Sequence, residues 1–206
     1  PLIWLEFDLM PARTEAPIVF LCVERGISGP PSPPPLEPAH LRSVVAEGMQ
    51  LVLDRPLEDG ILDQLERCAA LLPRGGRVLH VAPLCTRGLR NLRVCLDIPT
   101  DGIAGWLRAI GWPGNASCMS TALAMCEDRS SVGVHLDITE SVLPYVAFEY
   151  TMSNGRGPAA VHKPLVERLI RAGAAAPDKA EAACSWPGQT TVALPRADWL
   201  VKVWRA

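Results

Sequence analysis

The feature that most constrains this chain is a series of short apolar or alternating stretches that come in pairs along the sequence. They lie at residues 2–10 and 17–23, 78–84 and 92–98, and 131–138 and 145–152. Each has the period-two alternation or the apolar run of a β-strand, and segments with helical spacing separate the pairs. Strands in pairs with helices between them are typical of an α+β fold. The pattern therefore predicts a mixed, mostly antiparallel sheet with helices packed on it.

Two of these strands divide sharply into an apolar and a polar face. In the first, one face is apolar and the other carries Trp4, Glu6 and Asp8. In the fifth, four aliphatic side chains point inward and leave His135 and Asp137 on the opposite face. Both patterns predict a half-buried strand.

Helices and loops are predicted from apolar spacing and from breakers. Residues 29–38 contain six prolines, which exclude regular hydrogen-bonded structure and predict an extended loop. No repeat and no second domain is evident, so we predict one domain over residues 1–206 with a Pro-rich loop at 29–38. Helices are expected at 37–49, 57–72, 117–126, 158–172 and 174–184, with a short one after Pro99-Thr100-Asp101 and closing strands at 191–194 and 199–203.

Charge and cysteine content bound the class of protein. With 20 basic and 22 acidic residues the net charge is −2, which argues against binding to nucleic acid or to an anionic membrane through bulk charge. The longest apolar runs have the length of a strand, so no membrane span is predicted. Seven cysteines are an odd number, and the first ten residues do not resemble a signal peptide. We therefore predict a cytoplasmic protein with reduced thiols.

The sequence contains few motifs that carry chemistry. It has no glycine-rich nucleotide loop, no Gly-x-Ser-x-Gly and no Cys-x-x-Cys, so no cofactor is predicted. The nearest candidate for a metal site is His135-Leu136-Asp137 with His162 further along the chain, the opening of a two-His-one-carboxylate set. The alternative is that His135 and Asp137 are the solvent face of an alternating strand.

Carboxylates and aromatic residues provide the remaining candidates. Glu6 and Asp8 share one strand face, and Glu149 lies near another strand end, so they predict an acidic patch. Such a patch is compatible with acid–base catalysis, with binding of a basic partner or with a solubilising surface. Trp199 and Trp204 flank the last strand, and exposed tryptophans of this kind are typical of binding surfaces.

Several stretches together resemble accessory proteins of pathways that modify ribosomally made peptides. They are the opening Ile3-Trp4-Leu5-Glu6-Phe7-Asp8-Leu9, the segment Pro17-Ile18-Val19-Phe20, the breaker Ile110-Gly111-Trp112-Pro113-Gly114, the strand Val134-His135-Leu136-Asp137-Ile138, the run from Val142 to Tyr150, and the end Trp199-Leu200-Val201-Lys202-Val203. Among such proteins the chain is most similar to the peptide-binding proteins of crocagin biosynthesis. Where those sequences often end the second motif in Glu-Cys, this chain has Tyr150.

The resemblance implies a non-catalytic protein that binds a precursor peptide and presents it to a modifying enzyme. Addition of the peptide as a strand to an open sheet edge is the expected mode. A homodimer is compatible with this function. The alternatives are a peptide-modifying hydrolase or cyclase that uses His135 and Asp137, and a scaffold that docks a partner through the Pro-rich loop. The predicted contact residues are Glu6, Asp8, Tyr145, Glu149, Tyr150, Trp199 and Trp204, with carboxylates pairing basic groups and aromatics anchoring.

Overall fold

A computed structural model describes most of the chain. The described residues are 3–6, 9–10, 13–14, 16–23, 34–126, 128–149, 158–185, 188–193 and 200–205, with side chains described within 3–6, 16–23, 34–126, 128–149 and 163–181. The chain forms two compact units, Pro1–Tyr150 and Thr151–Ala206. The single domain over residues 1–206 stays a prediction, and most of the Pro-rich loop at 29–38 lies outside the described residues.

The described part of the first unit contains one large antiparallel sheet and four α-helices. The six strands of the sheet lie in the order Ile3–Glu6, Ile18–Cys22, Arg77–Pro83, Leu92–Pro99, Ser131–Ile138 and Val142–Glu149, and every neighbouring pair is antiparallel. This confirms the predicted α+β fold. The elements are β1 (Ile3–Glu6), the small hairpin of β2 (Leu9–Met10) and β3 (Arg13–Thr14), β4 (Ile18–Cys22), α1 (Pro38–Leu53), α2 (Asp59–Ala70), β5 (Arg77–Pro83), β6 (Leu92–Pro99), α3 (Ile103–Ala109), α4 (Ala116–Ala124), β7 (Ser131–Ile138) and β8 (Val142–Glu149).

The second unit has two helices and a hairpin among its described residues. These elements are α5 (Pro158–Arg171), α6 (Pro177–Ser185), β9 (Gly188–Ala193) and β10 (Leu200–Arg205). β9 and β10 pair only with each other among the described strands, as an antiparallel two-stranded sheet. The prediction that the last two strands close the main sheet is therefore wrong. Strand propensity indicates that a segment is extended, but it does not select the partner.

One face of the main sheet is covered by the helices of the first unit. Aliphatic residues of β4–β8 form a single core with apolar residues of α1, α2, α3 and α4. The packing between α1 and β4 is close, since a Cβ on Gly48 would overlap a methyl carbon of Leu21. Trp106 of α3 is also buried and donates its indole N–H to the Cys68 carbonyl at 3.0 Å. The inward-facing side chains of the alternating strands thus pack against the apolar stripes of the helices.

Two strands differ from their predicted form. β8 begins at Val142 rather than at residue 145 and includes Pro144, which is tolerated because β8 is an edge strand. β1 is exposed on both faces instead of half-buried: Ile3, Trp4 and Leu5 are 59%, 58% and 54% exposed. The alternation of β1 is real, but no described helix covers its apolar side. No helix among the described residues has the length and apolar character needed to cross a membrane.

Candidate functional site

The candidate site is the face of the main sheet that points away from the helical core. Alternation along β6 and β7 sends the residues between the core aliphatics to this side, and antiparallel register aligns them in rows across the sheet. We call this surface the polar face. It comprises His80 of β5, Arg93, Cys95 and Asp97 of β6, His135 and Asp137 of β7, and Glu149 of β8.

A histidine and a carboxylate form a hydrogen-bonded pair on this face. His135 Nε2 lies 3.0 Å from Glu149 Oε2, and the hydrogen bond lowers the pKa of Glu149. The two residues are diagonal neighbours, because Glu149 is directly opposite Gly133 in the register. A Cβ on Gly133 would lie 2.8 Å from the Glu149 Cβ, so only glycine admits the side chain there. Gly133 therefore positions Glu149 over β7.

An arginine and an aspartate form the second pair on the polar face. Arg93 Nε donates to Asp137 Oδ1 at 2.8 Å, and a terminal nitrogen donates to Oδ2 at 3.0 Å. The two residues are cross-strand partners, and Asp137 is only 8% exposed. The interpretation of His135 and Asp137 as a solvent face is therefore wrong for Asp137. Its carboxylate is engaged by a bidentate guanidinium, an arrangement that fixes geometry as well as charge.

His80 connects the polar face to the edge strand β1. It is the register partner of Cys22 on one side and of Cys95 on the other. The Trp4 side chain extends over β4 and its ring contacts the His80 ring, with the two ring centroids 4.8 Å apart and the ring planes tilted by 33°. His80 Nδ1 is buried without a hydrogen bond to any described residue. Burial lowers the pKa of His80, although the charge of Glu149 opposes this, so the ring is neutral at pH 7.

Cys95 lies between His80 and His135 in the register, a position in which a thiol beside a histidine could act as a nucleophile. Burial raises its pKa to about 12, even though Arg93 acts in the opposite direction. Its thiol makes no hydrogen bond to His135 among the described contacts. At neutral pH this sulfur is a thiol and packs in a small apolar cluster with Phe20. Nucleophilic activation requires a lowered thiol pKa, so Cys95 is a packing residue.

The predicted contact residues are divided between the two edges of the sheet. Glu6 lies on β1, where it forms an ion pair with Arg87, while Tyr145 and Glu149 lie on β8 at the opposite edge. Tyr145 is 73% exposed. The structure therefore does not bring Glu6 together with Tyr145 in one strand-binding edge.

The other predicted residues fall outside the described side chains. Asp8, Tyr150 and Trp199 lie outside the described residues altogether. Trp204 lies within β10 and is opposite Gln189 in the register, and His162 lies within α5, but neither side chain is described. Among the residues that are described, no three His, Cys, Asp or Glu side chains form a group that could hold a metal ion.

Four residues of this region are not identified by the sequence as site residues. Arg93, His80, Gly133 and Trp4 each acquire their role from a neighbour on another strand. The only local signal is alternation, which assigns His135 and Asp137 to one face. The pairings depend on register, and register is set by contacts distant in sequence.

The chain matches no family model, no curated protein and no solved structure. The resemblance to accessory proteins of peptide-modifying pathways stays a prediction.

Proposed function

We propose that this protein binds an extended peptide by adding it as a strand to the outer edge of β1, the side away from β4. The observation that carries the proposal is the exposure of Ile3, Trp4 and Leu5 on a strand that pairs only with β4 among the described residues. An apolar strand with an unpaired edge is a template for another strand. Main-chain hydrogen bonds would supply affinity, and alternate side chains would supply selectivity.

The opposite edge is less suited to this role. β8 carries Pro144, which has no N–H to donate, and its pairing with β7 is irregular between Leu136 and Ile138. Proline and bulges are devices that protect a sheet edge from further pairing. Val146 and Phe148 of β8 also pack against the helical core, whereas no described residue of β1 belongs to it. The contrast favours β1 as the docking strand.

The proposed ligand is the precursor of a ribosomally made, modified peptide, which this protein would present to a modifying enzyme in the cytoplasm. The ligand class follows from the sequence resemblance. The compartment is supported by the six cysteines whose side chains the structure describes, all of which are free thiols: Cys22, Cys68, Cys85, Cys95, Cys118 and Cys126. Free thiols of this number are expected where the environment is reducing.

Selection from a displayed library of random peptides, each long enough for one strand, tests the proposal and yields a ligand in the same experiment. The variant Leu5→Lys places a charge on β1 and should weaken the binding of the selected peptides by about tenfold. Leu51→Lys is the matched control, because Leu51 is 87% exposed on α1, outside the sheet. Equal loss in both variants, or none in either, would contradict docking at β1.

Hydrogen exchange provides a readout specific to strand addition. Bound peptide should slow exchange of the outward-facing amides of β1 and leave those of β8 unchanged. Molar mass in solution should be measured in parallel, because a second copy of the chain competes for the same edge. If the selection yields no peptide and the protein is a dimer that Leu5→Lys dissociates, the occupant of the β1 edge is a second copy of the chain and not a peptide.

A second candidate is a peptide-modifying enzyme, favoured by the hydrogen-bonded pair of His135 and Glu149. A carboxylate that holds one imidazole nitrogen leaves the other available as a general base. His135→Ala should then abolish turnover of a bound precursor peptide while its binding persists. Unchanged turnover in that variant, or no turnover in the wild type with the cognate peptide, leaves binding as the function.

A further inference from the structure

We propose that the peptide bound at β1 carries a lysine or arginine beside Trp4. This inference rests on the proposed function and specifies the ligand further. An added strand places alternate side chains on the two faces of the sheet. Those on one face would contact Ile3 and Leu5, and the one between them would lie beside Trp4 on the opposite face.

The surroundings of Trp4 favour a cation at that position. One side of the indole lies against His80, and 58% of the residue remains exposed. An aromatic face attracts a cationic group, and indole does so best. Because His80 is neutral at pH 7, it adds no positive charge behind the ring.

Glu6 provides a carboxylate on the same face, two residues along β1. Its Oε1 accepts a hydrogen bond from Arg87, and Oε2 accepts none from the described residues. The Glu6 side chain is 45% exposed, so a cation arriving from solvent can reach it. A lysine or arginine beside Trp4 would thus contact the indole with its charged head and Glu6 Oε2 with an N–H. The alternate positions facing Ile3 and Leu5 would be apolar.

Synthetic peptides of the form acetyl-Ser-Thr-Val-X-Val-Thr-Ser-amide test this directly. X is lysine in one peptide and norleucine in another, which keeps the chain length and removes the charge; arginine and citrulline form a second pair. On the wild type, calorimetric titration should give about fivefold tighter binding for each charged peptide. On Trp4→Leu the ratio should fall to about twofold, because the contribution of the ring is lost while that of Glu6 remains.

Glu6→Gln should lower the ratio of affinities for the charged and uncharged peptides from about fivefold to about twofold. Glu47 is an exposed carboxylate on α1, and Glu47→Gln should leave this ratio unchanged. Equal binding of lysine and norleucine to the wild type, with β1 protected from exchange, overturns this inference and leaves strand addition intact. A fifth peptide has phenylalanine at X, and tightest binding of that peptide also overturns the inference, in favour of an aromatic ligand. Failure of every peptide to bind or to protect β1 overturns the proposed function itself.

Discussion

The two faces of the main sheet are built from the same strands but solve different physical problems. Leu136 and Asp137 are consecutive residues of β7, and both are nearly inaccessible to solvent. Leu136 packs among aliphatic side chains beneath the helices, whereas Asp137 is held by the guanidinium of Arg93. The apolar face needs volume and shape, and the polar face needs specific partners. Burial alone therefore does not distinguish structural from functional residues in this sheet.

The largest expected effect lies on the apolar face. Leu136→Ala removes a fully buried side chain and leaves a cavity, so the free energy of unfolding should fall by about 3 kcal/mol. Urea denaturation measures the loss. Leu51→Ala, at the most exposed leucine of α1, should cost less than about 0.5 kcal/mol. A loss below about 1 kcal/mol at Leu136 would mean that the helices do not cover this face as described.

A smaller effect is expected when the polar face loses one partner of a pair. Asp137→Ala leaves the half-buried Arg93 guanidinium without its carboxylate and should cost about 2 kcal/mol, because the charge stays and its compensation is gone. The double variant Arg93→Met with Asp137→Leu should be more stable than Asp137→Ala alone. Chemical denaturation compares the three proteins. If the double variant is the least stable of the three, the attraction between Arg93 and Asp137 stabilises the fold by more than the desolvation of the two charges destabilises it.

The sequence predicts the apolar face much better than the polar one. The bounds of β7 and its inward residues are as expected, since alternation over residues 131–138 is local and unbroken. Alternation also assigns His135 to the other face. It does not identify Glu149 as the partner of His135, because that contact depends on a diagonal register and on a glycine at position 133. Side-chain chemistry between strands is a property of the pairing.

The two edges of the sheet illustrate the same difference. The alternation of β1 predicts a half-buried strand, and this is wrong because alternation does not indicate whether a second layer covers the apolar side. The sequence pattern starts the partner strand of β7 after Pro144, whereas this proline lies within an edge strand that needs no donor on one side. Edges are defined by the position of a strand in the sheet, and apart from a proline such as Pro144 the sequence of a single strand says little about that position.

The smallest effect concerns the pH dependence of the polar face. The hydrogen bond from His135 lowers the pKa of Glu149 from 4.5, and this stabilises the folded state above that pH. The contribution should be lost as the pH falls through the lowered pKa of the folded protein. Because the Glu149 side chain is 61% exposed, solvent screening keeps the effect below about 1 kcal/mol.

Unfolding by urea between about pH 3 and pH 6 checks this dependence. Glu149→Gln should flatten the profile in the acidic range, and Gly133→Ala should flatten it as well, since the added methyl pushes Glu149 away from His135. Gly133→Ala keeps both His135 and Glu149, so it changes the geometry of the pair without removing either side chain. A profile that Glu149→Gln flattens and Gly133→Ala does not would mean that the carboxylate reaches His135 without the space that glycine provides, and the polar face would then depend less on register than we infer.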